Sequence, residues 1–297
     1  MAKIVAVLSD IHGNLKALDL ALKVCEERKV DKYVFLGDLV TDGPDSSAIL
    51  KKLKKMDKDK VVVVSGNREE SLVDYHYGRN EQWKGNYQCE ALLRSYEDLD
   101  QEDIKYLESL PGLVEVDLFG IKTLVMHASH LKSKHFILPS QNIDVFMDMY
   151  DKFDASLYLM GHSHQSFCVK IKEKYFVNPG PLGFPHSMNH YKRDDSLSIS
   201  LLHIENSSFI HELVYIDHDR QEMKDYFVNK RENFENSFWL ELIGESFIDG
   251  FYRRSHFLKI VRKIAQEKGL DNIDPTPNDI WLLAIEEWKK QEEAGKS

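Results

Sequence analysis

Cysteine is scarce in this chain: three thiols, Cys25, Cys89 and Cys168, stand among 297 residues. An odd number at wide spacing supplies neither a disulfide framework nor a cysteine zinc site, and small buried thiols are the expectation. Long apolar runs are absent too, since none reaches the length of a membrane span. The N-terminus runs from Met1 and Ala2 into a strand-like Lys3–Ser9 without a charged leader, apolar region and cleavage site, so a cytoplasmic protein is expected. Positive charge is in deficit, 39 Lys and Arg against 49 Asp and Glu, for a formal net charge of -10. That balance opposes binding along a nucleic-acid polymer, which needs clustered cations to displace counterions. It leaves room for a small anionic substrate, because a bound metal outweighs the global field locally. Internal repeats and low-complexity tracts are also missing.

What is present is an ordinary globular composition, 42 % hydrophobic and 30 % charged, in a chain long enough for one large domain and an appendage. The first two-thirds alternate short β-branched runs with helical patterns, as in an α/β sheet. Strand runs are read at Ile4–Leu8, Tyr33–Leu36, Val61–Val64 and Leu157–Met160. Hairpins are read at Val114–Leu118 with Ile121–Met126, at Phe167–Ile171 with Tyr175–Val177, and at Leu197–His203 with Phe209–Tyr215. Leu15, Leu18, Leu22 and Cys25 recur at helical spacing behind an Asn14 cap, and a second helix is expected near Asp45–Met56. After about Ile216 the pattern turns helical, with helices over Glu222–Asn229, Phe238–Ile248, Phe251–Lys268 and Asp279–Gln291. The expected organisation is residues 1–216 as the catalytic domain and 217–297 as a helical subdomain or cap.

Five strand runs end in groups able to bind a metal. They run into Asp10-Ile11-His12-Gly13-Asn14, Gly37-Asp38, Gly66-Asn67, His127 and Gly161-His162-Ser163-His164. Sites in open α/β folds form at the carboxyl ends of strands, so one sheet edge can gather Asp10, His12, Asp38, Asn67, His127, His162 and His164. The pairs Asp10/His12 and His162/His164 converge on one ion only where the chain leaves regular strand geometry. The two oxygens of a carboxylate such as Asp38 can bridge two cations. Imidazole, carboxylate and amide donors without thiolate suit first-row metals. Each piece alone has a plain alternative, a turn, a helix cap or a core histidine. Their shared order, each behind an apolar run, is what points to chemistry.

This order, D-x-H, G-D, G-N-x-[ED], a lone H and G-H-x-H over about residues 1–215, resembles the calcineurin-like metallophosphoesterase superfamily. The opening Asp10–Asn14 with Leu15 and Leu18, and the turn Asn178-Pro179-Gly180, resemble its bacterial branch of phosphodiesterases and asymmetric diadenosine tetraphosphate hydrolases. The resemblance implies a four-layer α/β/β/α sandwich, here with a C-terminal helical extension. It implies two divalent or trivalent transition-metal ions, Mn or Fe foremost, with Zn, Ni or Co as alternatives. Asp10, His12, Asp38 and His164 would hold the first, and Asp38, Asn67, His127 and His162 the second. A hydroxide between the metals would then attack phosphorus in line.

One departure is informative. Members that dephosphorylate proteins carry a histidine proton donor after the Asn, where this chain has Arg68. Arginine is no general acid near neutral pH but binds phosphate oxygens well. Asp38, Asn67 and Arg68 are therefore the expected catalytic residues, with Arg68 and His130 binding substrate. The leaving group should depart easily, as from phosphodiesters or nucleotide polyphosphates, diadenosine tetraphosphate among them. His130, His135 and His186 stay open as proton sources. A protein phosphatase, a nuclease and a non-catalytic scaffold of the same fold are the rival readings. The expected partner is a small phosphorylated substrate, a nucleotide by preference, and a homodimer is left open. Two further segments carry paired readings. The aromatic and basic residues of His76–Tyr96, including Tyr77, Arg79, Trp83, Lys84 and Tyr87, either stack a base or pack on the core. The C-terminal Arg253, Arg254 and Arg262 either face the cleft or lie in solvent.

Overall fold

The computed structural model describes residues 2–185, 196–230, 238–251, 253–270 and 273–295. Among the described residues, ten strands form two five-stranded sheets. The first sheet takes the order β10-β9-β1-β2-β3, from β1 (Lys3–Leu8), β2 (Lys32–Phe35), β3 (Val61–Val63), β9 (Ser198–Glu205) and β10 (Ser208–Tyr215). The second takes the order β4-β5-β6-β8-β7, from β4 (Leu113–Leu118), β5 (Ile121–Met126), β6 (Leu157–Leu159), β7 (Phe167–Ile171) and β8 (Lys174–Asn178). The first sheet joins a parallel set, β1-β2-β3, to the antiparallel β9 and β10 on one side, and the second flanks a parallel set, β5-β6-β8, with antiparallel β4 and β7 on either side. All three expected hairpins form in register.

The central strands are apolar on both faces because both faces are covered. Val5, Val7, Val34 and Leu36 pack against Val125, Leu157, Leu159 and Val177 between the sheets. The opposite face of the first sheet, Ala6, Leu8 and Phe35, meets α1 (Leu15–Glu27) and α2 (Ser46–Lys54) through Leu18, Ala21, Ile49 and Leu50. The outer face of the second sheet, Leu124, Tyr158 and Phe176, meets α6 (Ile143–Lys152) through Phe146 and Met149. Helix, sheet, sheet, helix is the four-layer order that the family resemblance implies.

The N-terminal cap of α1 is Asn14, whose Oδ1 accepts from the Ala17 amide at 2.9 Å while its Nδ2 donates to Gly183 O at 2.6 Å. Helices α3 (Asn67–His76), α4 (Glu90–Asp98) and α5 (Gln101–Ser109) fill the stretch between β3 and β4. Their aromatics pack on one another and on the C-terminal helices. Tyr75 stacks on Trp83, the Tyr87 amide bonds to Asn278 Oδ1, and Tyr77 reaches Glu108.

The last four helices are α7 (Arg220–Val228), α8 (Phe238–Asp249), α9 (Arg253–Glu267) and α10 (Asn278–Gly295). Helices α7 and α8 bury Met223, Phe227, Leu240, Ile243 and Phe247 in the core over the first sheet. Phe238 and Leu242 on α8 join Phe257, Val261, Ile280 and Trp281 in a second, all-helical core. Helix α8 therefore belongs to both. Among the described residues, no helix is long and apolar enough to cross a membrane.

Candidate metal centre

Each of the five strand-end segments turns sharply after its strand. Asp10, His12, Asp38, His162 and His164 all have positive φ, between 48° and 62°. The left-handed region costs a non-glycine residue about 1–2 kcal/mol, so five such residues in one place mark a site held against local preference. This backbone is what lets the i, i+2 pairs converge. Glycines make the approach close enough. A Cβ on Gly37, at φ +85°, would lie 2.4 Å from the Gly66 amide nitrogen, and one on Gly161 would lie 1.9 Å from Ser9 Oγ.

The seven expected residues meet in one buried cluster with two halves. Asp10, His12 and His164 form one group and Asp38, His127 and His162 the other, with donor atoms within 4.8 Å of one another in each. In the first half, His12 Nε2 lies 3.1 Å from His164 Nε2 and 3.9 Å from Asp10 Oδ1, which is 3.2 Å from His164 Nε2. In the second, His127 Nε2 lies 3.3 Å from Asn67 Oδ1 and 3.2 Å from His162 Nδ1. Asp38 stands between them, with Oδ2 at 3.7 Å from His12 Nε2 and Oδ1 at 3.4 Å from His127 Nε2.

Surrounding groups aim these donors. His127 Nδ1 donates to Leu36 O at 2.7 Å, which leaves Nε2 facing the cluster. Asp10 Oδ2 accepts from Ser9 Oγ at 2.6 Å and from the His162 amide at 3.1 Å. Asp10 Oδ1 is buried with no hydrogen bond, as a carboxylate oxygen reserved for a cation would be. The Arg68 amide, at the start of α3, donates to Asp38 Oδ1 at 2.9 Å. Glu69, fully buried, accepts from the amides of Asp38, Leu39 and Gly66 at 2.7–2.8 Å and so staples the turn after β2 to the turn before α3. Asn178 Nδ2 donates to Gly161 O and Ser163 Oγ, holding the histidine-pair loop.

The electrostatics fit a cation. Burial alone would raise the Asp10 and Asp38 carboxyls. His164 beside Asp10, and His127 with His12 beside Asp38, outweigh it and hold both carboxyls well below the usual range. Burial would lower His127, but Asp38 and Asp10 push it up to about 10. Burial and the neighbouring His127 lower His162 to about 4. Two ionised carboxylates among converging imidazoles, one of them carrying a proton, form an environment where cations can take the proton's place.

Residues 4–207 match the calcineurin-like phosphoesterase superfamily domain. The chain belongs to that superfamily. As a calcineurin-like phosphoesterase it is a hydrolase, and it is metal-dependent. An uncharacterised protein of Methanocaldococcus jannaschii is 26 % identical over 245 residues, 76 % of this chain and 93 % of the relative. A symmetrical bis(5'-nucleosyl)-tetraphosphatase of Buchnera aphidicola is 36 % identical over 86 residues, 29 % of this chain and 31 % of the relative. Among solved structures, a hypothetical protein of Pyrococcus horikoshii superposes with a TM-score of 0.65 at 21 % identity, over 81 % of this chain and 98 % of that one. A metallophosphoesterase of Sphaerobacter thermophilus gives 0.63 at 20 % identity, over 84 % and 100 %. At those identities the structural likeness speaks for the fold.

The calcineurin-like centre keeps Arg68 at its rim. The Arg68 side chain is 26 % exposed, with Nη2 3.2 Å from Asp42 Oδ2. His130 lies further along the loop after His127. Its Nε2 is 2.7 Å from Asp148 Oδ2, and it lines, with His127, Ser129, Lys132 and Lys134, an open cavity of about 530 Å³. His135 Nδ1 pairs with Ser129 Oγ at 2.9 Å. His186 lies outside the described residues. Of the C-terminal arginines, Arg253 is bound by Asp249 and Glu292, Arg262 is exposed, and Arg254 reaches the rim of the centre. Sequence reading assigned no role to Glu69, Asp42, Phe184 or Trp239. Glu69 did carry a signal, as the acidic end of Gly66-Asn67-Arg68-Glu69; the others gain their roles from contacts across the fold.

Proposed function

We propose that this hydrolase cleaves phosphodiester or nucleotide polyphosphate bonds at a dinuclear centre. In this reading Asp10, His12, Asp38 and His164 hold one cation and Asp38, Asn67, His127 and His162 the other. The observation that carries it is the placement of Asp38, whose two oxygens face the two halves separately. Mn or Fe are the proposed metals, on the donor set of imidazole, carboxylate and amide. Bound there, the pair supplies Lewis-acid charge and activates water near neutral pH.

The chain's own groups do the rest. The Arg68 guanidinium, partly exposed at the rim, takes non-bridging phosphate oxygens and orients the ester. Asn67 Oδ1 and the Leu36 carbonyl, acting through His127, fix the second half of the centre. No proton donor stands directly after Asn67, which favours leaving groups that depart as weak bases. Anhydrides and activated diesters qualify, and an alkyl phosphomonoester such as phosphoserine does not. The cavity along Ser129, His130, Lys132 and Lys134 offers room and positive charge for the far end of such a substrate. The Buchnera relative is named for symmetrical cleavage of dinucleoside tetraphosphates, whereas the bacterial branch noted from the motifs cleaves asymmetrically.

The deciding experiment is metal analysis of the purified chain followed by Mn²⁺-dependent hydrolysis of bis(p-nitrophenyl) phosphate, diadenosine tetraphosphate and a phosphoserine peptide. Two metals per chain and turnover of the first two are expected. AMP with ATP as products establishes asymmetric cleavage, and ADP alone establishes symmetric cleavage. Turnover confined to the phosphopeptide, or none with metal bound, would overturn the reading.

A further inference from the structure

Asp42 is buried beside the metal centre, against His12. It follows Thr41, and both residues have positive φ, 70° and 65°, so the turn after β2 is built to point this carboxylate inward. Its two oxygens serve different parts of the molecule. Oδ2 lies 3.2 Å from His12 Nδ1 and 3.2 Å from Arg68 Nη2, contacts set by charge and distance rather than by aligned hydrogen bonds. Oδ1 accepts from Trp239 Nε1 on α8 at 3.0 Å and lies 3.4 Å from Arg254 Nη1 on α9.

Arg254 is itself almost fully buried. Its guanidinium lies 4.6 Å from the Phe184 ring centre and 4.4 Å from that of Trp239. The Phe184 ring in turn packs on His12 at 4.9 Å and on His164 at 5.6 Å. Two elements from beyond residue 207, where the superfamily match ends, thus contact the first half of the centre through one carboxylate and one ring.

We propose that Asp42 is a positioning residue that makes helices α8 and α9 part of the metal centre: held by Trp239 and Arg254, it keeps the Nδ1 proton on His12 and the direction of Arg68. The carboxylate favours the His12 tautomer with the proton on Nδ1, leaving the Nε2 lone pair toward Asp10 and His164. It also restrains the Arg68 guanidinium at the rim, where phosphate oxygens would meet it. Asp42 lies against both the Arg68 and the Arg254 guanidiniums, so neutralising it withdraws a carboxylate from each. Arg254, enclosed by the Phe184 and Trp239 rings, acts on the centre through Asp42 and through Phe184. The inference rests on the dinuclear reading of the centre.

The test measures Mn²⁺ binding to the metal-free full-length chain by titration calorimetry, and kcat and KM for bis(p-nitrophenyl) phosphate. Asp42→Asn is expected to weaken Mn²⁺ binding at one of two sites about 10–100-fold, the range for lost outer partners of metal ligands, and to raise KM. Arg254→Met should shift both readouts the same way. The double variant should lose less than the sum of the two single losses, because part of the effect of Arg254 passes through Asp42. Arg262→Met, an exposed change on the same helix, should leave both unchanged. If Asp42→Asn does not fold, Asp42→Asn/Arg254→Met, with the wild-type charge of the cluster, takes its place. Wild-type Mn²⁺ affinity and KM in either of these variants overturns the inference, as do fully additive effects of the two substitutions. A wild-type chain that binds no Mn²⁺ overturns it together with the dinuclear reading, and two Mn²⁺ in the wild type keeps the two failures apart.

Discussion

Asp38 has the most to lose by a single-atom change. Asp38→Asn keeps the shape and the acceptor for the Arg68 amide but removes the charge facing His12 and His127. Metal content and turnover should fall together, the latter by at least ~100-fold, at the top of the range for lost outer partners of a ligand. Full turnover at normal metal occupancy would remove Asp38 from the bridging role. Arg68→Ala should keep both metals. The loss of a charged hydrogen bond to phosphate is about 2 kcal/mol, or about thirtyfold in kcat/KM, carried by KM if the contact is uniform through the reaction. An unchanged kcat/KM removes Arg68 from substrate binding.

At the scale of elements, the site depends on turns that are fastened to one another more than on the strands that lead into them. Glu69 is the fastener between the turn after β2 and the start of α3. Burial, and then the charge of Asp38, raise its carboxyl, against which four backbone donors, from Asp38, Leu39, Val40 and Gly66, hold it. Glu69→Gln places an amide where an oxygen accepts, leaving a buried N–H donor out of place. The expected loss is about 1–3 kcal/mol in urea unfolding. A midpoint within error of the wild type would show that the turns hold without it. The stretch between β3 and β4 was open to a base-stacking role on composition; Tyr75, Trp83 and Tyr96 pack on one another and Tyr87 on the C-terminal helices, while Tyr77 is exposed.

At the scale of the whole molecule, we propose that residues 217–297 form a helical subdomain docked on the body of 1–216, with α7 and α8 bridging the two. Because Met223, Phe227, Leu240, Ile243 and Phe247 share a core with Leu18 and Phe35, the chain should melt in one transition. Mn²⁺ at 100 times its dissociation constant should add about 2.7 kcal/mol to that transition, a rise of about 4 °C. Two separate transitions, with only one responding to Mn²⁺, would count against the bridging helices. The thiols report on the same packing. Burial pushes Cys25 and Cys89 up to about 12, so at pH 8 they stay protonated and enclosed, while Cys168 is exposed. A thiol reagent at pH 8 should modify one cysteine per native chain and three after unfolding in guanidinium.

The ten strands, the cap on α1, the four C-terminal helices and the seven residues of the cluster were legible in the sequence. Their signals are local: apolar runs of strand length, helical spacing, and Asp, His and Asn placed where each run stops. Helices α3, α5 and α6 were not read, and α4 only as part of a helical insertion over His76–Tyr96, since their apolar positions are few and their burial comes from neighbours distant in sequence. The sequence also implied that Asp10/His12 and His162/His164 must leave strand geometry, and positive φ at all four is how they do so. What only the tertiary structure decided is which groups surround the cluster. Asp42 reads as one more turn acid until Trp239 and Arg254, some two hundred residues away, are folded against it. A metal ligand has a type and a motif spacing, but a partner that aims the ligand needs only charge, burial and proximity. Proximity across the fold is not written in any local stretch of the chain.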